Sequence, residues 1–144
     1  MADIIFYEKS GCSGNARQKA LLEEAGHKVT ARDLRQVTWT RGKLLEFLYA
    51  LPVTEWFNRS APAVKSRAIV PEELDEESAL HLLLQEPLLI RRPLLEVGDE
   101  RMAGFDVYAI DAWIGLNGVP VEGDMAACRH GDDPSHRCRD TLAA

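Results

Sequence analysis

The spacing of apolar positions changes from segment to segment along this chain, and each spacing predicts an element. Ile4-Ile5-Phe6-Tyr7 is an unbroken apolar run of β-forming residues, the pattern of a strand buried on both faces of a parallel sheet. Ser10-Gly11 supplies a turn. From Ser13 to Ala25 good helix formers follow, with Ala16, Ala20, Leu21 and Ala25 near helical spacing and Gly26 where a helix should end. His27 to Asp33 alternates, with Val29 and Ala31 on one side, and predicts a second strand. Together these segments make a β-α-β unit, whose crossover gives a parallel pair.

The middle of the chain predicts helices. Leu44, Leu45, Phe47, Leu48 and Leu51 form an apolar stripe that Pro52 interrupts. Thr54 to Arg59 predicts a short helical turn anchored by Trp56 and Phe57, and Ser60 to Val70, with Pro62, predicts a surface loop. A third helix should start at the N-cap Asp75, run to Gln85 and stop before Pro87. Leu88 to Val97 reads as a turn or strand followed by a strand. Gly98-Asp99 then turns the chain into Arg101-Met102, a hairpin. Asp106 caps a last helix that turns Ile110, Trp113 and Ile114 inward, and Gly115, Asn117, Gly118 and Pro120 end it. The order β-α-β, helices, β-β-α is that of a thioredoxin-like α/β fold with a helical insertion. It spans residues 1–118, and residues 119–144 form a flexible tail poor in aliphatic residues.

Composition narrows the functional classes. A formal net charge of -6 argues against a general nucleic-acid binder, which needs a basic face. No apolar run approaches a membrane span. The first is too short for a secretory signal and is flanked by Asp3 and Glu8. The three cysteines, Cys12, Cys128 and Cys138, lie far apart in a pattern suited to a reducing compartment, so a cytoplasmic location is expected.

Cys12 carries the chemistry. It stands between a buried strand and the first helix in Ser10-Gly11-Cys12-Ser13-Gly14-Asn15. Backbone N–H groups and the helix dipole at such a position favour a thiolate, the better nucleophile and the better leaving group. Gly11 and Gly14 let the backbone come close to a bound anion or disulfide, and Lys9 and Arg17 add positive potential. The bland alternative is a buried thiol packed as a small hydrophobe. Asn15 fills the fourth position where a Cys-x-x-Cys motif would carry its second thiol. A redox cycle therefore needs another thiol, from glutathione, from a glutaredoxin or from elsewhere in the chain.

The segment Phe6-Tyr7-Glu8-Lys9-Ser10-Gly11-Cys12, a helix ending at Gly26, and Leu89-Ile90-Arg91-Arg92-Pro93 resemble the glutaredoxin-coupled arsenate reductase and Spx family, from about Asp3 to Leu116. More narrowly, Tyr7-Glu8-Lys9, Asn15 to Leu22, Trp56-Phe57-Asn58-Arg59 and Arg91-Arg92-Pro93-Leu94 resemble the nitrogenase-associated subgroup. That subgroup is linked to nitrogen-fixing bacteria, which implies an accessory of nitrogen fixation with nitrogenase as a possible partner. The resemblance implies that Arg92 lies against Cys12 as the second catalytic residue, with Pro93 cis and facing the thiol. It also implies a substrate-binding set of Gly11, Ser13, Gly14, Asn15, Arg17, Arg59 and Pro93. No bound cofactor is expected, with glutathione as a possible cosubstrate. Arsenate reductases of the family surround the arsenical with three arginines. Here Arg92 matches, the middle position is Asn58 with Arg59 beside it, and the last is Gly104, so arsenate itself is a poor substrate candidate.

Two alternatives stay open beside thiol-disulfide chemistry. One is a regulatory module of Spx type that binds a protein without turnover. The other is a metal-handling accessory using Cys128, His130, His136 and Cys138, whose one-residue gaps match no standard zinc motif. Cys128 or Cys138 is also a candidate to resolve a mixed disulfide on Cys12. Among the remaining residues, His27 is expected in solvent at its corner, His81 at the surface or in a structural role, and Trp56 and Trp113 as core or edge aromatics. Asp75, Glu76 and Glu77 read as charges at a helix N-terminus.

Overall fold

A computed structural model describes residues 1–119. The elements run β1 (Asp3–Glu8), α1 (Ser13–Glu24), β2 (Lys28–Asp33), α2 (Arg41–Leu48), α3 (Pro62–Lys65), α4 (Glu76–Gln85), β3 (Leu94–Val97), β4 (Glu100–Ala103) and α5 (Val107–Ile114). Short 3₁₀ turns at Leu34–Gln36, Val53–Glu55, Pro71–Glu73 and Pro87–Leu89 join the middle elements. The helix starts follow their local chemistry: the side chains of Thr40, Asp75 and Asp106 each accept backbone N–H bonds at the heads of α2, α4 and α5. Gly26 follows α1 with φ of +98°, a left-handed turn that a glycine enters without steric cost.

The four strands form one sheet in the order β2-β1-β3-β4. It is mixed, as a β-α-β unit followed by a hairpin requires. β1 pairs in parallel with β2 and antiparallel with β3, and β3–β4 is the expected hairpin. The apolar run of β1 suits this place because β1 is central and covered on both faces. Ile4 and Phe6 face a core with Leu21 and Leu22 of α1, Ala25 just after it, Leu95 of β3, Phe105, and Ile110 of α5. Tyr7 faces the opposite core, with Leu44, Phe47 and Leu48 of α2, Trp56, Phe57 and the buried residues of α4. β2 is an edge strand, and Ala31, on the same side as the half-buried Val29, is exposed.

Three further expectations change. The segment read as a surface loop contains α3, which begins at Pro62 and buries Ala61 and Val64 in the core. Proline at the first position of a helix loses no bond and has its φ already set, so it starts the helix it was taken to exclude. The short helix expected over Thr54 to Arg59 is a 3₁₀ turn at Val53–Glu55, after which Phe57 bridges to Ile90 as a strand would. His27 is buried: its Nδ1 accepts from Ala2 N at 3.0 Å, and its Nε2 lies 2.6 Å from the carbonyl oxygen of Gly115. Those two bonds fix the neutral tautomer with the proton on Nε2.

Candidate active site around Cys12

Strand register brings the site together. In the parallel pair Glu8 lies opposite Asp33, and in the antiparallel pair Tyr7 lies opposite Leu94. The loop leaving β1 therefore meets the end of β2 and the residues that precede β3, Arg92 and Pro93. The Arg92-Pro93 peptide is cis. Cys12 ends that loop as the N-cap of α1, with extended backbone (φ -75°, ψ 122°), and its side chain makes no capping bond. Its carbonyl accepts from Ala16 N at 3.0 Å, and its own N–H reaches back to Lys9 O at 3.2 Å.

Cys12 is 6% exposed. Arg92 donates a hydrogen bond to it. The inner nitrogens of Arg92, Nε and Nη1, are buried, and this desolvation pulls its pKa down to about 10, against the upward pull of Cys12. Arg92 thus remains a cation at neutral pH.

The loop is held by buried polar groups. Asn15 Oδ1 accepts from Lys9 N at 3.3 Å, and its Nδ2 donates to Gln18 Oε1 at 2.9 Å, tying the first turn of α1 to the loop. Glu8, also buried, pairs with Lys19 Nζ at 2.8 Å. From the β2 side, Asp33 Oδ2 accepts from Ser10 N at 3.1 Å. Asp33 is gripped in turn by Arg35, whose Nε and Nη2 lie 2.9 and 2.7 Å from its two oxygens. The Arg35 bonds hold the Asp33 carboxyl well below the usual range, assisted by the backbone N–H groups of Arg35 and Ser10 and opposed by burial.

Arg92 lies against Cys12 and the peptide bond before Pro93 is cis, and Gly11 (φ +88°), Ser13, Gly14 and Asn15 form the loop and first turn beside Cys12. A half-buried Arg17 stands one turn further along α1. Arg59 is engaged elsewhere: its Nη2 donates to Thr54 O at 2.7 Å and Glu72 Oε2 at 2.9 Å. Gly104, which the resemblance sets against an arginine, has no side chain, and Arg91 packs beside it. A Cβ built there would lie 2.6 Å from Arg91 Nε. Cys128, His130, His136 and Cys138 lie outside the described residues. Asp33, Arg35 and Arg91 went unpredicted. Asp33 could have been found by pairing the two strands in register, which sets it beside Glu8. An open groove of about 650 Å³ lies along β4, lined by Glu46, Tyr49, Asp99, Glu100, Arg101, Met102 and Trp113, and includes none of the predicted site residues.

The sequence profile of the ArsC family matches residues 7–113, from the end of β1 to the end of α5. The chain belongs to the ArsC family. A protein of Rhodospirillum rubrum, described as an uncharacterized 15.7 kDa protein in the draG 3′ region, is 46% identical over 144 residues, covering 100% of this chain and 99% of that one. Among solved structures, an ArsC-family-related protein from Bacteroides fragilis superposes with a TM-score of 0.66 at 24% identity, covering 76% of this chain and 95% of its own. An arsenate reductase (ArsC) related protein from Brucella melitensis gives 0.60 at 25% identity, covering 77% and 93%. This ArsC-family chain is therefore an arsenate-reductase-like thiol protein of thioredoxin-like α/β fold. No helix among the described residues is long and apolar enough to cross a membrane.

Proposed function

We propose that this ArsC-family protein is a single-thiol oxidoreductase that works by thiol-disulfide exchange through Cys12, as an accessory of nitrogen fixation. The observation that carries the chemistry is the contact between Cys12 and the buried, charged Arg92 at the head of α1. A guanidinium in that place stabilises a thiolate, and so makes Cys12 both attacker and leaving group. In the first step the Cys12 thiolate attacks one sulfur of a disulfide. Its S–S bond breaks, a mixed disulfide with Cys12 forms, and the other half leaves as a thiolate. A second thiol, from glutathione or a glutaredoxin, then attacks the mixed disulfide and regenerates Cys12. The biological setting rests on the motifs shared with the nitrogenase-associated subgroup and on the draG-region relative in Rhodospirillum rubrum.

The test is to incubate the full chain with glutathione disulfide and follow adduct formation on each cysteine by peptide mass spectrometry. Cys12 should gain one glutathionyl group that excess thiol removes. Arg92→Met should slow its formation by about 100-fold, the usual cost of losing one pre-set charge-stabilising donor. Adducts confined to other cysteines would end the proposal.

A further inference from the structure

From the free edge of β4, we infer that the groove along it takes an extended segment of a partner protein as an added strand. That segment carries lysine or arginine at the end nearest the Gly98-Asp99 turn and apolar residues beyond it. The inference goes beyond the reading of Cys12 and does not rest on it.

The hairpin sets which backbone groups are open. β4 ends the sheet, and among the described residues no strand pairs with its outer side. The β3–β4 hairpin closes over Gly98 and Asp99, with Val97 opposite Glu100. Bonded pairs alternate outward from such a turn. Glu100 and Met102 therefore point their N–H and C=O at β3, while Arg101 and Ala103 point theirs away from it. The bond from Gly104 N to Pro93 O, 2.8 Å long, keeps that alternation. Arg101 and Ala103 thus each present a backbone donor and acceptor on the outer edge, which is what an incoming strand needs.

Side chains wall this edge on both faces of the sheet. The groove of about 650 Å³ has Glu46 and Tyr49 at the end of α2 on one side, and Trp113 of α5 with Met102 on the other. Tyr49 is 77% exposed, so its ring is open to whatever enters. Successive residues of an added strand point to alternate faces, and one meets Tyr49 where the next meets Trp113 and Met102.

Charge selects the occupant. The lining holds three carboxylates, of Glu46, Asp99 and Glu100, against the single guanidinium of Arg101. Arg101 is already shared between Glu46 and Glu96, at 3.3 and 3.7 Å, and donates to Gly98 O at 2.8 Å. The surplus is negative and lies toward the turn. A basic residue opposite Glu100 or Asp99 gains from it, whereas a second copy offering the same edge brings two negative grooves together.

The experiment titrates the full chain into a fluorescein-labelled peptide, Gly-Lys-Lys-Val-Ile-Val-Gly, at low salt, reading anisotropy and then amide hydrogen exchange of the complex. The peptide should bind, and its counterpart with Glu-Glu in place of Lys-Lys should bind about tenfold more weakly or worse. At saturation the amides of Arg101 and Ala103 should slow about tenfold, while that of Met102, already bonded to β3, should change little. Glu100 Oε2 accepts from Trp113 Nε1 at 3.0 Å, and Asp99→Asn/Glu100→Gln keeps an acceptor there while removing both charges. It should weaken the lysine peptide about fivefold at low salt. Binding that leaves Arg101 and Ala103 unslowed reduces the contact to a diffuse attraction and overturns the added strand, as does no binding at millimolar peptide. Equal binding of the lysine and glutamate peptides overturns the charge class. In the chain without peptide, slowed edge amides that recover on dilution assign the edge to a second copy. Slowed amides at every dilution assign it to residues 120–144 of the chain itself, and either result ends the proposal.

Discussion

The two faces of β1 are built differently. Ile4 and Phe6 look toward α1 and α5, where Leu21, Leu22, Leu95 and Ile110 make a mainly aliphatic core. Tyr7 looks toward the inserted middle, where a larger aliphatic core also holds an aromatic cluster: Tyr7, Trp39 and Phe47 meet at centroid distances of 5.3 to 5.9 Å. There Tyr7 OH donates to Glu96, Trp39 Nε1 to Leu34 O, and Trp56 Nε1 to the carbonyls of both Leu48 and Leu51. The first face is held together by regular helices that bring apolar stripes. The second contains short turns and a helix of four residues, and its tryptophans add donors to carbonyls beside those turns.

Trp56 should mark the difference most strongly. It is fully buried and donates at 2.9 Å to the end of α2 and to the turn beyond it. Trp56→Ala should cost about 3–5 kcal/mol in urea unfolding, the range for deleting a core aromatic. Trp56→Phe keeps most of the ring and should still cost about 1–3 kcal/mol, because the Leu51 carbonyl loses the indole donor and that of Leu48 keeps only Leu51 N. On the aliphatic face a swap that keeps volume, Leu22→Met, should cost less than about 1.5 kcal/mol. Equal costs for Trp56→Phe and Leu22→Met would erase the distinction between the faces.

His27 is the exception on the aliphatic side. It bonds to Ala2 and Gly115 and so joins the start of the chain, the α1–β2 corner and the end of α5. His27→Phe keeps a ring but removes both bonds. It should cost about 1–2 kcal/mol and speed amide exchange at the end of α5, with little change around α4. Uniform acceleration on both faces would mean that His27 supports the whole sheet.

The same contrast decides what the sequence disclosed. α4 and α5 were legible because their apolar spacing, caps and terminating proline or glycine agree with one another, and α1 from its helix formers and Gly26. So was Cys12 at a strand-to-helix turn, since strand, glycine and helix are all local signals. α3 was not legible. Four residues carry no period, and Pro62 is as compatible with a loop as with a helix start. The burial of His27 depends on partners 25 and 88 residues away, and the Asp33–Ser10 bond on a parallel register. Such partners lie outside any local window. Arg92 was named from family likeness, while the means that sets it against Cys12, the antiparallel pairing of β1 with β3, appears only once the sheet is assembled.

Asp33 lies where the two faces converge and tests whether the end of the sheet is held by charge. Its carboxyl is held well below the usual range, chiefly by Arg35, so the folded chain takes up a proton there less readily than the unfolded chain. Above about pH 4 the group is ionised in both states and its contribution is complete. As the pH falls further the unfolded chain protonates first, and stability is lost with a limiting slope of about 1.4 kcal/mol per pH unit. Arg35 is half in solvent, so screening should hold the total to about 1 kcal/mol. Asp33→Asn still accepts from Ser10 but lacks this titration. Relative to the wild type it should be less stable at pH 7, and the gap should narrow by pH 3, as read from urea midpoints. Glu72 and Asp75 are also held low, but both are present in either protein, so their titration cancels in the difference. A gap that does not change with pH would mean that Asp33 acts through its shape and hydrogen bonds, and that the charge at this corner serves the chemistry of Cys12 more than the fold.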